Sequence, residues 1–238
     1  MENTKTTTRP DEPPAWRARP AAFALLAFAL GLIVLSGGLL RHDLALYRLH
    51  AVAKAIRFGE PVSNAGLAQA VQQAIVGDQD HVLNASDLDD AAQVASLFAE
   101  RNRASFLAPS LQLTAENLLR ARLAEAPADG NSWLRLAYVR TARIGLDPLA
   151  HAALRMSWLA TPREFAVMWP SLRFRVAHWD RLTIEEQFAA ADLVAGLWHK
   201  PPERDALGHF LAKLPPHLRS TLLADMTDPE ARAALRKA

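Results

Sequence analysis

Residues 131–162 read NSWLRLAYVRTARIGLDPLAHAALRMSWLATP, and this stretch decides the fold. Trp133, Leu134, Leu136, Ala137 and Tyr138 begin an apolar-periodic run that ends near Gly145. Pro148 opens a second run through Leu159, and Pro162 opens a third. Proline fits the first turn of a helix, where its missing N–H has no partner to lose. Glycine closes a helix because it accepts a left-handed backbone. The pattern is helix, short loop, helix.

On the N-terminal side, residues 116–127 read ENLLRARLAEAP, and thirty-five residues later 151–162 read HAALRMSWLATP. Leu119, Arg120 and Pro127 recur as Leu154, Arg155 and Pro162. That period lies beside the 34-residue tetratricopeptide repeat. Trp133 followed by Leu136 resembles that repeat, whereas Ala137 stands where it has Gly and Arg140 where it has Tyr. A helix pair leaves one apolar face uncovered, and stacking the next pair buries it. Residues 109–238 are therefore expected to form an all-α, helical-hairpin, tetratricopeptide-like domain. Trp133, Tyr138, Trp158 and Phe165 are its expected structural aromatics, and Pro127 and Pro162 its punctuation.

Further along, Phe165 and Trp169 are four residues apart and share one face of the helix opened by Pro162, which makes Phe165 a core candidate. Pro170 is expected to end that segment, with a helix at 171–179 after it. Helices follow at 183–198, 203–214, 216–226 and 229–236. Thr183 with Glu186 has the spacing of a capping box.

Towards the N-terminus, residues 21–40 read AAFALLAFALGLIVLSGGLL, without a charge. Twenty residues at about 1.5 Å each give about 30 Å, the thickness of a bilayer core. The expected organisation is a flexible tail at 1–19, a transmembrane helix at 20–40, a juxtamembrane helical region at 41–108 and the repeat-like domain after it. A cleaved signal would need a shorter apolar core and a better cleavage cue than Ser36-Gly37-Gly38. Gly31, Gly37 and Gly38 could let a second helix approach the anchor. Basic residues on the two sides of the anchor are tied in number. Arg17 and Arg19 favour a cytoplasmic N-terminus, which puts the large domain in a bacterial periplasm. In the region at 41–108, a helix is expected over 43–58, ended by Gly59 and Pro61, and a second is capped by Asn64. The acidic run at 77–100 lacks the ligand spacing of a calcium loop and reads as a helix start capped by Ser86.

Half the residues are apolar, and Ala and Leu dominate, which favours helix over sheet. A net charge of +2 with both signs interspersed argues against a nucleic-acid partner, which would usually show a larger excess on one face, despite a pI near 9.2. With no Cys there is no disulfide, thiol nucleophile or Cys-ligated zinc. The eight His are scattered, and His151 is isolated in the sequence. No phosphate loop, HExxH pair or nucleophile elbow is present, so no catalytic, metal or cofactor site is assigned.

The most distinctive polar stretch is 173–181, RFRVAHWDR. In one reading Arg173, Arg175 and Arg181, with Trp169 and Trp179, grip an acidic glycan or a partner's carboxylates. In the plainer and favoured reading Phe174 and Trp179 pack inward, Asp180 caps the next turn and the arginines face water.

Residues 131–162, together with AHWDRLTIEEQ at 177–187, resemble small bacterial membrane proteins encoded with exopolysaccharide biosynthesis genes. The resemblance implies one N-terminal anchor, tetratricopeptide-like helices and an accessory or scaffold role in polysaccharide assembly or export. It places the chain in the inner membrane and gives no catalytic residue. Its implied partners are membrane-embedded or membrane-associated proteins and the polysaccharide itself. The alternatives are a structural subunit of an unrelated inner-membrane complex and a glycan-modifying enzyme.

Overall fold

The computed structural model describes residues 15–80, 83–161 and 164–237. Among the described residues there is no strand. The helices are α1 Ala15–Arg57, α2 Asn64–Gln79, α3 Ala85–Arg101, α4 Ala108–Glu125, α5 Gly130–Ile144 and α6 Pro148–Ala160. They continue as α7 Phe165–Ala177, α8 Ile184–Trp198, α9 Arg204–Ala212, α10 Pro216–Ala224 and α11 Pro229–Lys237. Short 3-10 turns occupy Trp179–Arg181 and Pro201–Glu203. The chain divides into two units, residues 1–47 and 48–238.

In the first unit, Leu25, Phe28, Ile33, Val34 and Leu35 are all exposed. The stretch Ala24–Arg57 is long and apolar enough to cross a membrane. The helix expected over 43–58 is not a separate element, because α1 runs unbroken from Ala15 to Arg57. It also starts inside the segment read as a tail, of which residues 1–14 lie outside the described ones. Gly59, with φ of 70°, then turns the chain into the left-handed region that glycine tolerates.

In the second unit each helix packs on the next from α2 to α6, α7 packs on α5 and α8, and α8 gathers α9, α10 and α11. Buried alanines let the early helices approach closely: Ala91, Ala95 and Ala99 on α3, and Ala115 on α4. The C-terminal core is built from Leu172, Leu193, Leu197, Leu207, Leu211 and Leu222, with Trp158 and Trp169 packed against it. The end of α1 is tied to α3 by polar contacts. Arg57 Nη1 donates to Asp90 Oδ1 at 2.6 Å, and His50 Nδ1 lies 3.1 Å from Asp90 Oδ2.

Helix starts follow side-chain caps, and two differ from expectation. Ser63, not Asn64, caps α2 by accepting from Gly66 N. Asn84, not Ser86, caps α3, in a capping box with Asp87. Asp129, Asp147 and Thr183 cap α5, α6 and α8, the last in the expected box with Glu186. Pro170 does not end a helix; it lies inside α7. Phe165 is not core. It is the first residue of α7 and is 42% exposed, with the Lys200 ammonium 5.0 Å from its ring centroid. Pro162 lies outside the described residues.

Candidate functional site

The five residues proposed to grip an acid do not converge. Arg173 is exposed and stacks over Trp169, 5.5 Å from its centroid, while Trp169 Nε1 donates to Glu203 at 2.8 Å. Arg181 is exposed on the 3-10 turn and reaches towards Gly145. Trp179 is half-buried against the C-terminal core, and Phe174 is buried. Asp180 sits within the 3-10 turn, and Thr183 supplies the cap of α8.

Arg175 departs from both readings because it is fully buried. Its guanidinium donates to Ser171 Oγ and, at 3.4 Å, to the Leu154 carbonyl, while Nε has no partner. Burial pushes its pKa down to about 10, against a partial pull upward from the Glu186 charge. A buried cation without an ion pair is costly. Its place below the surface puts it at the floor of a cleft between α6 and α8.

That cleft holds about 680 Å³ and is walled mainly by carbon. The α6 wall contributes His151, Arg155 and Trp158, and the α8 wall Glu185, Phe188 and Asp192. His151, isolated in the sequence, meets Glu186 across the cleft: Nδ1 lies 2.9 Å from both carboxylate oxygens. An ionised carboxylate only accepts, so Nδ1 carries the proton and Nε2 is left as the acceptor of the neutral ring. Glu186 Oε2 also accepts from Thr183 N at 2.9 Å, which fixes the carboxylate to the start of α8. The Thr183 hydroxyl lines the same cleft but accepts from Glu186 N as the helix cap. The arrangement holds an imidazole oriented by Glu186, with the Thr183 hydroxyl accepting as the cap of α8.

On the other side of α6 a second groove of about 380 Å³ runs between α4, α5 and α6, lined by Arg120, Trp133, Leu149 and Met156. Ala152 borders both grooves. Trp133 is held there by its Nε1 donating to the Pro127 carbonyl at 2.8 Å, which gives both residues a structural role. Tyr138 is 39% exposed; its ring packs edge-on against Phe174 at 4.6 Å and its hydroxyl donates to the Pro170 carbonyl at 2.9 Å.

Beneath this second groove lies a network in which only Glu116 and Arg120 stand at helical spacing and the other partners come from another helix. Glu116 has no exposed surface and receives Arg120 at 2.6 Å, Arg140 at 2.5 Å and Arg143 at 2.8 Å. Burial pushes the Glu116 carboxyl up, but the bonds from Arg143 and Arg140 outweigh it and hold the group below its ordinary value. Arg140 also clamps Asp147, holding that carboxyl low. Arg140 is the residue found where the repeat has Tyr, and here it joins α4, α5 and the cap of α6.

Two large exposed apolar side chains line the cleft, Leu159 at 63% on α6 and Phe188 at 49% on α8, while Leu149 lines the second groove and Ile184 is exposed at the start of α8. Such a patch, rimmed by charge and carried on packed helices, is suited to docking a protein surface. Among the described residues no group of His, Asp and Glu is arranged to hold a metal ion. Comparison of the chain with protein-family models, with curated proteins and with solved structures finds no match.

Proposed function

We propose that the chain is a single-pass, membrane-anchored scaffold that docks a partner protein on the surface formed by α6 and α8. The observation that carries this reading is the pair of exposed apolar side chains, Leu159 and Phe188, on the two walls of the mainly apolar α6/α8 cleft. Burying each of these two side chains fully contributes about 1.5–3 kcal/mol to an interface. The apolar part of α1 supplies the anchor, and confinement to one membrane raises the local concentration of membrane partners.

In this reading helix pairs stack as tetratricopeptide-like repeats, and Arg17 and Arg19 hold the N-terminus on the cytoplasmic side, with the domain in the periplasm. The resemblance of residues 131–162 and 177–187 supports a role for this scaffold in exopolysaccharide assembly or export at the inner membrane.

A photo-crosslinking residue at Leu159 or Phe188, in intact cells, tests the docking role. Protein adducts are expected at both positions and not at exposed Ser220 on α10. Equal yields at all three positions would overturn the docking role. Removing the chain from the cell should reduce surface polymer, and unchanged polymer would overturn the polysaccharide assignment.

A further inference from the structure

We infer that the partner protein docks as an amphipathic helix laid along α8, carrying basic residues seven apart, a conclusion that rests on the docking role assigned above. Glu185, Phe188, Asp192, Ala195 and His199 are spaced three, four, three and four apart, so they share one face of α8 from its first turn to its C-cap. Glu185, Phe188 and His199 are exposed, Asp192 is half-buried, and the small Ala195 forms the floor between them. Two hollows lie along this face. The first is the α6/α8 cleft, and the second, of about 840 Å³, adjoins Ala195, Gly196, His199, Met168 and Thr227. Trp158 and Asp192 line both, so the hollows meet there. The other sides of α8 carry α7, α9, α10 and α11. From Glu185 to His199 the trough runs about 21 Å, or about four turns of helix.

Backbone chemistry selects a helix for this trough. An extended segment would press its N–H and C=O groups against walls made mainly of carbon, with no strand beside it to pair with. A helix satisfies those groups internally and enters a groove through side chains three and four apart. Charge then sets what the helix carries. Glu186 is held by His151, and Asp228 by His199. Glu185 and Asp192 have no ion pair among the described residues, although Asp192 accepts from the Thr227 hydroxyl at 3.2 Å. These two acids stand seven apart on α8, so basic side chains seven apart on a helix alongside meet both. On the α6 wall the exposed Arg155 also has no ion pair among the described residues, and it takes an acid from the helix's other flank. Leu159 and Phe188 receive the apolar row between the flanks.

A photo-crosslinking residue at Phe188 or at His199, one at a time in the full chain in intact cells, tests the geometry. The two positions are eleven residues apart on one face of α8, a distance of about 16 Å. Adducts mapped on the captured protein are expected about eleven residues apart, with Lys or Arg within a turn of the Phe188 adduct. Adducts about five residues apart, as an extended chain spans that distance, would overturn the helix while leaving the docking role intact. Glu185→Lys with Asp192→Asn should cut the Phe188 adduct about tenfold. Glu185→Lys alone, at an exposed position outside the core, should cut it about threefold. Unchanged yields in both variants would overturn the basic flank. Adducts on another copy of this chain, or on a glycan, would overturn the partner helix. Yields no higher than at Ser220 would overturn the docking role itself.

Discussion

Arg140 Nη1 lies 2.5 Å from Oε1 of Glu116, a carboxylate with no exposed surface on α4. The same guanidinium reaches Asp147 at 2.7 Å, so one side chain on α5 joins a buried acid to the cap of α6. The start of α6 is positioned by this clamp.

Glu116→Gln removes the charge that three guanidiniums share. Leaving the three partly exposed arginines without their shared acid should destabilise the domain by about 1–3 kcal/mol. Thermal unfolding of the full chain in detergent, followed by circular dichroism, measures this. A change of Tm within error would show that the network is dispensable.

The same carboxylates set an acid limit. Glu116 and Asp147 are held below their ordinary values of 4.5 and 3.8, by Arg143 and Arg140 acting against burial at Glu116 and by Arg140 first at Asp147. The unfolded chain therefore binds these protons at higher pH than the folded one. Their stabilisation is complete above 4.5 and is lost as pH falls through the lowered folded values. The urea midpoint should fall between about pH 5 and about pH 3, and less steeply in Glu116→Gln. Identical slopes would contradict the assignment.

Arg175 carries an opposite expectation. Burial pushes the folded guanidinium down to about 10, below its unfolded value, so below pH 10 the cation opposes folding. Arg175→Met keeps the packing and removes the charge, and should leave Tm unchanged or raised. Arg175→Ala should lose about 2–4 kcal/mol through the cavity it leaves. A Met variant as damaged as the Ala variant would show that the guanidinium bonds to Ser171 and Leu154 hold the cleft floor.

Gly130 is required by contact. A Cβ there would lie 2.9 Å from the Ser157 carbonyl oxygen and closer still to Thr161, at the end of α6. Gly130→Ala should cost about 1–3 kcal/mol, whereas Gly208→Ala, which meets nothing within 4 Å inside α9, should gain about 0.5–1 kcal/mol. Unfolding of both variants checks the sign as well as the size.

The all-helical architecture was legible because local rules decide it. The Thr183–Glu186 box, Gly145 and Pro148 each act within one turn of chain, and each marks a helix end where expected. Pro170 misled because proline usually breaks a helix, yet near the start of α7 it forgoes a single intrahelical bond. Phe165 misled because its spacing to Trp169 fits a shared face, whereas the first residue of α7 turns outward. Arg173 and Arg175 were legible in part: two residues on a helix differ by about 200°, so they could not both face water. His151 with Glu186, and Glu116 with Arg140, join residues on different helices that no local period relates. Only packing brings them together.

The most direct measurement is alkaline carbonate extraction of membranes from cells making the full chain, beside a variant lacking residues 21–40. The full chain should stay with the lipid pellet and the variant should be released, because the exposed apolar side chains of α1 have no protein core to enter. Release of the intact full chain would contradict the anchor, and with it the confinement of the domain to a membrane surface.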